Sequence, residues 1–443
     1  MASGSWFLRL LLVTAVLGAC GEGASGQAKS AAASSDGPAS FCPSFSDVST
    51  AAGIPVTLKV AGGSRDSFLC SYELTGRYRG TSIELTGEPA SLAEDVFSNI
   101  QVLKGIPVDE FMETMGFFSA SLGLNCVDCH TPQSEGNWAH FADETPLKQT
   151  ARRMITMVGA MNRSNFGGAR ALTCYTCHRG DQRPKVVPSL AVQYGPPLED
   201  PNEIEIIART GLPSADEVFD KYLQALGGTQ RLASITSFVA KGTYSGYDTD
   251  HQKFPVEIFA KAPAQRTTIV HMRIAGSVED SVRTYDGRDG WIAALDKPVP
   301  LMALTGGNLN LAKIEAMLSF PAQVKQAFGQ WRVGVTTIED RDVQVLLGAI
   351  AGQPPVKLYF DSKSGLLVRM VHYSESPVGR TPTQIDYDDY REVAGVQLPF
   401  HWTVTWTDGQ TSTELTEVQP NVPIDNARFA RPAPAAQPKP TAK

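Results

Sequence analysis

Two five-residue strings constrain this chain more than anything else in it: Cys126-Val127-Asp128-Cys129-His130 and Cys174-Tyr175-Thr176-Cys177-His178. Both read C-x-x-C-H. At that spacing two thiols reach the two vinyl groups of one porphyrin and become thioethers. The histidine that follows sits beneath the iron as its proximal ligand. A zinc ribbon also pairs C-x-x-C motifs, but at a shorter separation and with no need for a histidine after each. A thioredoxin-like dithiol has a single motif that follows a strand. The strings therefore imply two covalently bound haem c groups (iron), attached through Cys126, Cys129, Cys174 and Cys177. His130 and His178 are the expected metal ligands.

The 443 residues suffice for two or three domains, and 42% hydrophobic with 19% charged residues is an ordinary globular balance. A net charge of −7 argues against a nucleic-acid partner, which would call for a basic face. The N-terminus reads as an export signal: Arg9, then an apolar run from Leu10 to Leu17 too short to span a bilayer. It closes on Leu17-Gly18-Ala19-Cys20, which looks like a bacterial lipobox with Cys20 as the lipidated residue. The alternative is a plain signal peptide cut nearby. The expected location is extracytoplasmic, on the periplasmic side, lipid-anchored to a bacterial membrane. Of seven cysteines, Cys42 and Cys70 are left over. In an oxidising compartment they are expected to pair as a disulfide, with two free thiols as the alternative.

Along the chain, residues 1–20 read as the signal peptide and 21–40, rich in Ala, Ser and Gly, as a flexible tether. Residues 41–90 carry short alternating runs of a small β-rich segment. Residues 91–185 turn helical. Ala93 to Leu103 has helical spacing, and Pro107 opens a helix with Phe111, Met112, Met115 and Phe118 on one apolar face. Thr145-Pro146 opens another, ending near Gly167-Gly168. Each of these last two helices runs into a C-x-x-C-H motif, a degenerate internal repeat. Residues 186–212 are a Pro-rich linker, and Ser214 to Leu226 is a capped helix closed by Gly227-Gly228. Residues 213–432 then alternate strands with turn signals such as Asp286-Gly287 and Asp408-Gly409, around a helix near Leu311 to Leu318. Residues 433–443 read as a disordered tail. The expected fold is multidomain: an α-helical dihaem domain followed by an antiparallel β half-barrel domain with a few helices.

The remaining axial position decides function: an open iron is an enzyme's, a Met- or His-closed one a carrier's. Met112 and Met115 precede the first motif, and Met154, Met157 and Met161 the second. Spacing does not choose among them. Residues 95–185 resemble the tetrahaem cytochrome c subunit of photosynthetic reaction centres. The carrying strings are Val108-Asp109-Glu110-Phe111 through Met115, Ala151-Arg152-Arg153-Met154, and Thr173-Cys174-Tyr175-Thr176-Cys177-His178-Arg179-Gly180. The resemblance implies Met115 as ligand of the first haem and Met154 as ligand of the second. It implies electron transfer with redox partner proteins: a membrane electron-transfer complex, and a soluble carrier as a further candidate. The sequence departs from that family in having two motifs where the family has four. Asn165-Phe166-Gly167-Gly168 also stands where the family places a histidine. A respiratory relay is thus as open as a photosynthetic one. Arg152, Arg153, Arg179 and Arg183 gather around the second motif in sequence, suited to haem propionates or to a solvated face.

From Pro213 onward the pattern looks like the half-barrel domains of lipoprotein carriers and sorting proteins of the LolA/LolB type. Asp286-Gly287-Arg288-Asp289-Gly290-Trp291 and Asp386-Tyr387-Asp388-Asp389-Tyr390-Arg391 carry this. Such a domain implies either a docking module or an apolar concavity for an acyl chain. No catalytic triad, P-loop or carboxylate pair stands out there. The functional expectation is a non-enzymatic, membrane-anchored dihaem electron carrier. The alternatives are a peroxidase-like dihaem enzyme and a lipid- or lipoprotein-binding protein with a cytochrome domain attached.

Overall fold

The computed structural model describes residues 56–63, 68–74, 82–87 and 90–432, apart from 136, 185, 191–194, 196–201, 203–210, 275–276, 295–298, 328–329 and 350–353. The expected signal peptide, Cys20, Cys42 and the tail lie outside these residues, so neither the lipid site nor the Cys42–Cys70 pairing is placed. Strands β1 (Val56–Gly63), β2 (Phe68–Leu74) and β3 (Ser82–Gly87) form an antiparallel sheet of their own. A compact unit begins at Ser91.

That unit is built on one antiparallel sheet of 13 strands. Its first half runs β4 (Ser237–Gly246), β5 (Phe254–Lys261), β6 (Gln265–Ile274), β7 (Ser277–Tyr285), β8 (Gly290–Ala294) and β9 (Leu301–Ala303). Its second half runs β10 (Gln330–Ile338), β11 (Arg341–Ala349), β12 (Val356–Asp361), β13 (Leu367–Ser376), β14 (Gly379–Val393), β15 (Val396–Trp406) and β16 (Gly409–Pro420). Each half is a meander. The first strand pairs with the last, β4 with β16, which joins the halves and leaves β9 and β10 as the edges.

The expected turns form as their chemistry requires. Asp361 accepts backbone N–H groups from Lys363 and Ser364 at 3.0 and 2.6 Å, and Gly365 follows at φ 78°. Asp286 does the same for Arg288 and Asp289.

The helices are α1 (Ala93–Val96), α2 (Val108–Leu122), α3 (Cys126–Cys129), α4 (Pro146–Asn165), α5 (Cys174–His178), α6 (Ala215–Ala225), α7 (Thr229–Ser234) and α8 (Gly306–Leu318). Helix α8 contacts both β13 and the β6–β7 pair. In a flat sheet β13 and β6 would lie six spacings apart, or about 29 Å at ~4.8 Å each. One helix reaches both only because the sheet curls around it, and this is the half-barrel. Val218, Phe219, Tyr222, Leu311 and Ile314 from the helices bury against Leu346, Leu358, Phe360 and Ile385 in the concavity.

Helix α2 is bound to the curled sheet by close fits. The buried Asp109 carboxylate accepts from Thr305 N and Oγ1 at 2.6 and 2.8 Å, and from Asn308 Nδ2 at 3.3 Å. The Phe117 ring lies on Gly379, where a Cβ would be 2.3 Å from its Cζ. Alanine at Gly379 should therefore lower stability by about 1–3 kcal/mol through overpacking, read as a shift in the denaturant midpoint. An unchanged midpoint would mean that Phe117 is free to move. Arg170 adds an ion pair with Glu375 and a bond to the Ser376 carbonyl.

Two local expectations need correction. The Ala93–Leu103 periodicity yields only the one-turn α1. Asn99 turns left-handed at φ 65°, the Glu94 carboxylate takes the Gly105 N–H, and the Leu92–Pro107 bridge closes a loop. On α2, Phe111, Met115 and Phe118 pack into an apolar cluster, but Met112 is 42% exposed and the unanticipated Phe117 is the buried anchor.

Candidate functional site

Each C-x-x-C-H string folds as a short helix held by its flanks. Helix α2 ends at Gly123 in the left-handed region (φ 63°), and a Cβ there would lie 2.4 Å from the Gly180 carbonyl oxygen. The Gly180 N–H donates to Ser121 O at 2.9 Å. The exit of the second motif is thereby fixed to the entry of the first. At the first motif Asn125 N–H donates to the Asp128 carboxylate at 2.7 Å. Thr145 Oγ1 donates to Cys129 O at 2.6 Å and accepts from Lys148 N–H, so one hydroxyl closes α3 and caps α4. At the second motif Thr173 and Thr176 exchange backbone-to-hydroxyl bonds at 3.0 and 3.3 Å. Asn162 is the one buried residue of the 20-residue α4. Its amide donates to Leu172 O at 2.8 Å and accepts from Leu172 N–H at 3.0 Å, holding the chain that enters the second motif against α4. Asn162 and Asp109 were missed in the sequence, because a single polar residue on a helix carries no periodic signal.

The two motif histidines share one arrangement. His130 Nδ1 lies 3.1 Å from Phe141 O, and His178 Nδ1 lies 3.1 Å from Asp181 O. A carbonyl only accepts, so this network places the proton on Nδ1 and leaves the Nε2 lone pair available to a metal. Burial, helped by the nearby Lys148 charge, holds His130 below the ordinary imidazole range and so keeps it neutral. Cys126, Cys129, Cys174 and Cys177 are free thiols. Burial pushes Cys126, Cys129 and Cys174 above the usual thiol range. Among the described residues no three His, Cys, Asp or Glu side chains converge on a metal-sized site.

The methionines divide by exposure. Met115 packs against the Leu103, Phe117 and Val378 cluster, which also takes in Ile155 and Cys174. Met154, Met157 and Met161 are 41, 48 and 40% exposed along one face of α4. A long helix that presents three methionines to solvent on one face, while its Ile155 packs in the cluster that holds Cys174, is suited to a flat apolar group laid against it. Thioether and imidazole are also the donor pair that an iron porphyrin takes in carriers. The residues present therefore fit haem.

The arginine grouping needs correction. Arg152 pairs with Glu144 at 2.6 Å and reaches the Asn99 carbonyl, so it serves the first unit, not the second motif. Arg153 bonds Thr150, and Arg179 and Arg183 are exposed near the second motif.

Residues 65–225 match the family model described as photosynthetic reaction centre cytochrome C subunit. The photosynthetic reaction center cytochrome c subunit of Thermochromatium tepidum is 42% identical over 98 residues, covering 21% of this chain and 23% of that protein. That of Roseobacter denitrificans is 34% identical over 104 residues, covering 22% of this chain and 27% of that protein. The chain thus spans about a quarter of the length of these relatives. Among solved structures, a LolA superfamily protein from Nitrosomonas europaea aligns at 14% identity with a TM-score of 0.33, covering 49% of this chain and 98% of that one.

Proposed function

We propose that this chain is an electron-transfer protein with two covalently attached haem c groups, working outside the cytoplasm and tethered to a membrane by lipid on Cys20. Cys126 and Cys129 hold one group and Cys174 and Cys177 the other. His130 with Met115 would hold the first iron, and His178 with Met154 the second. The observation that carries this is the matched pair of imidazoles, each fixed through Nδ1 by a backbone carbonyl with Nε2 free. The similarity of residues 65–225 to reaction-centre cytochromes supports the same chemistry.

When bound, haem supplies a one-electron couple. The protein's part is to keep both imidazoles in one tautomer and fix the two units to each other through the Gly123–Gly180 contact, and Met115 and Met154 would each supply a soft sulfur ligand. Its partners are a membrane electron-transfer complex and a soluble carrier. Among the described residues no helix is long and apolar enough to cross a membrane.

The β domain is read as the platform on which the haem-bearing helices dock. The cavity beneath its sheet, lined by Phe238, Ile258, Arg266, Trp402 and Leu415, measures about 80 Å³. That is room for several waters at ~10–15 Å³ each, and too little for an acyl chain without rearrangement.

The test is stoichiometry. Protein matured with a haem-attachment system should carry two haems per chain by pyridine haemochrome and intact mass, and Cys126→Ala with Cys129→Ala should carry one. Wild-type protein with no covalent haem would end this reading. Rapid carbon monoxide binding at either reduced haem at native pH would favour the peroxidase-like alternative.

A further inference from the structure

The turn joining β15 to β16 reaches the first motif. Trp406 pairs with Gly409, which leaves Thr407 and Asp408 as a two-residue loop of a tight hairpin. The loop seats on α2 at Gly116. A Cβ at Gly116 would lie 2.8 Å from Asp408 Oδ1 and 2.9 Å from Thr407 Oγ1, so this helix position is a notch for the turn. Glycine inside a helix costs about 1 kcal/mol relative to alanine, and here the close approach requires it. Burial raises the Asp408 carboxyl above the usual carboxylate range, and a hydrogen bond from the Trp406 side chain opposes this. Asp408 is an exposed residue at the loop tip, and after burial its charge is the next influence that raises the Cys126 thiol, the first attachment point of the first motif. Gly116 is the residue after Met115. At the second motif the acidic residue is Asp181 on the motif's own exit loop, whose carbonyl faces His178 Nδ1 and whose carboxylate accepts the Arg183 N–H; it is not supplied by the β domain. There the charge acting on the Cys174 thiol is that of Cys177, and the exposed neighbours in sequence are Arg179 and Arg183.

We infer that Asp408 is a tuning residue, supplied by the β domain, that makes the first haem harder to reduce than it would otherwise be and so sets the two haems apart in potential. The inference rests on the dihaem reading above. Reduction adds one electron, delivered by the redox partner, to the iron held by His130. A carboxylate seated at Gly116, beside the Met115 that would face that iron, would oppose the added charge, and a neutral side chain in its place would not. The β domain therefore does more than support α2, since its hairpin contributes a charge to the first site.

The experiment is an anaerobic redox titration of the full dihaem protein, wild type against Asp408→Asn, with Asp408→Glu as the charge-conserving control and Asp408→Ser as a second neutral variant. In the neutral variants the reduced-to-oxidised ratio of one haem at fixed ambient potential should rise at least about threefold. At 59 mV per decade for one electron this is roughly 28 mV. The other haem should stay in place, and Asp408→Glu should behave as wild type. Repeating the substitution in Cys174→Ala with Cys177→Ala, which keeps only the first haem, should preserve the shift. Unmoved potentials, or equal shifts at both haems, in protein that carries two haems would overturn the inference and leave the dihaem reading standing. Absence of covalent haem in the wild type would overturn both.

Discussion

Replacing Met154 with alanine should abolish the sulfur-to-iron charge-transfer band of one haem and leave the other band intact. The effect should be large because it is chemical and not structural. Met154 is 41% exposed on α4 and belongs to none of the buried clusters, so its loss from the fold alone costs within about 0.5 kcal/mol. What disappears is a soft ligand that favours the ferrous state. The affected haem should fall in potential and bind carbon monoxide quickly when reduced, while thermal stability of the protein before haem attachment stays near wild type. Met157→Ala and Met161→Ala are the internal comparison, because all three share one exposed face. If either of them removes the band and Met154→Ala does not, the axial assignment moves along the helix by one or two turns. Met115→Ala should be harder to read, since Met115 packs in the Leu103–Phe117–Val378 cluster and its loss also leaves a cavity.

What the sequence made legible was whatever rests on local chemistry. The helix opened by Pro107, the Thr145 cap with Pro146 behind it, the Ser214 cap and the turns at Asp286 and Asp361 each need only a few adjacent residues, and all appear. The antiparallel character of the second half followed from alternating runs separated by such turns. The long-range ties were not legible. Nothing adjacent to Gly379 says that Phe117 will lie on it, and nothing near Gly116 announces the Asp408 turn. A glycine chosen for a close approach looks the same in sequence as one chosen for a turn. Arg152 shows the opposite error. Neighbourhood in sequence placed it with the second motif, whereas the helix face it occupies turns it to Glu144 and Asn99 of the first. Burial on α2 was equally illegible: Asp109, in the acidic first turn, is only 3% exposed, and nothing adjacent to it announces Thr305 and Asn308 as its partners.

That acidic turn should make the protein less stable as pH rises. Burial first, then the Asp109 charge, pushes the Glu110 carboxyl from its ordinary 4.5 up to about 7, with Glu375 adding to this and Arg170 opposing it. Burial likewise carries Glu113 to about 7, against a hydrogen bond from Ser374. Asp109 is raised by burial despite its bonds to Thr305 and Asn308. A carboxyl whose folded value lies above its unfolded one binds more protons in the folded state. Its contribution is full below about 4.5 and is lost as pH rises through about 7. For one such group the limit is about 3 kcal/mol; partial exposure and the Arg170 charge reduce it to about 1–2 kcal/mol. Chemical denaturation at pH 5 and pH 8 should therefore show lower stability at pH 8. Glu110→Gln should recover about 1–2 kcal/mol at pH 8 while changing little at pH 5. Parallel pH curves for wild type and variant would show that Glu110 ionises normally, and that the α2–sheet contact opens to water at its first turn. A recovered curve would place the penalty at the contact that seats α2 on the β domain, where one guanidinium, Arg170, answers Glu110 and Glu375 together.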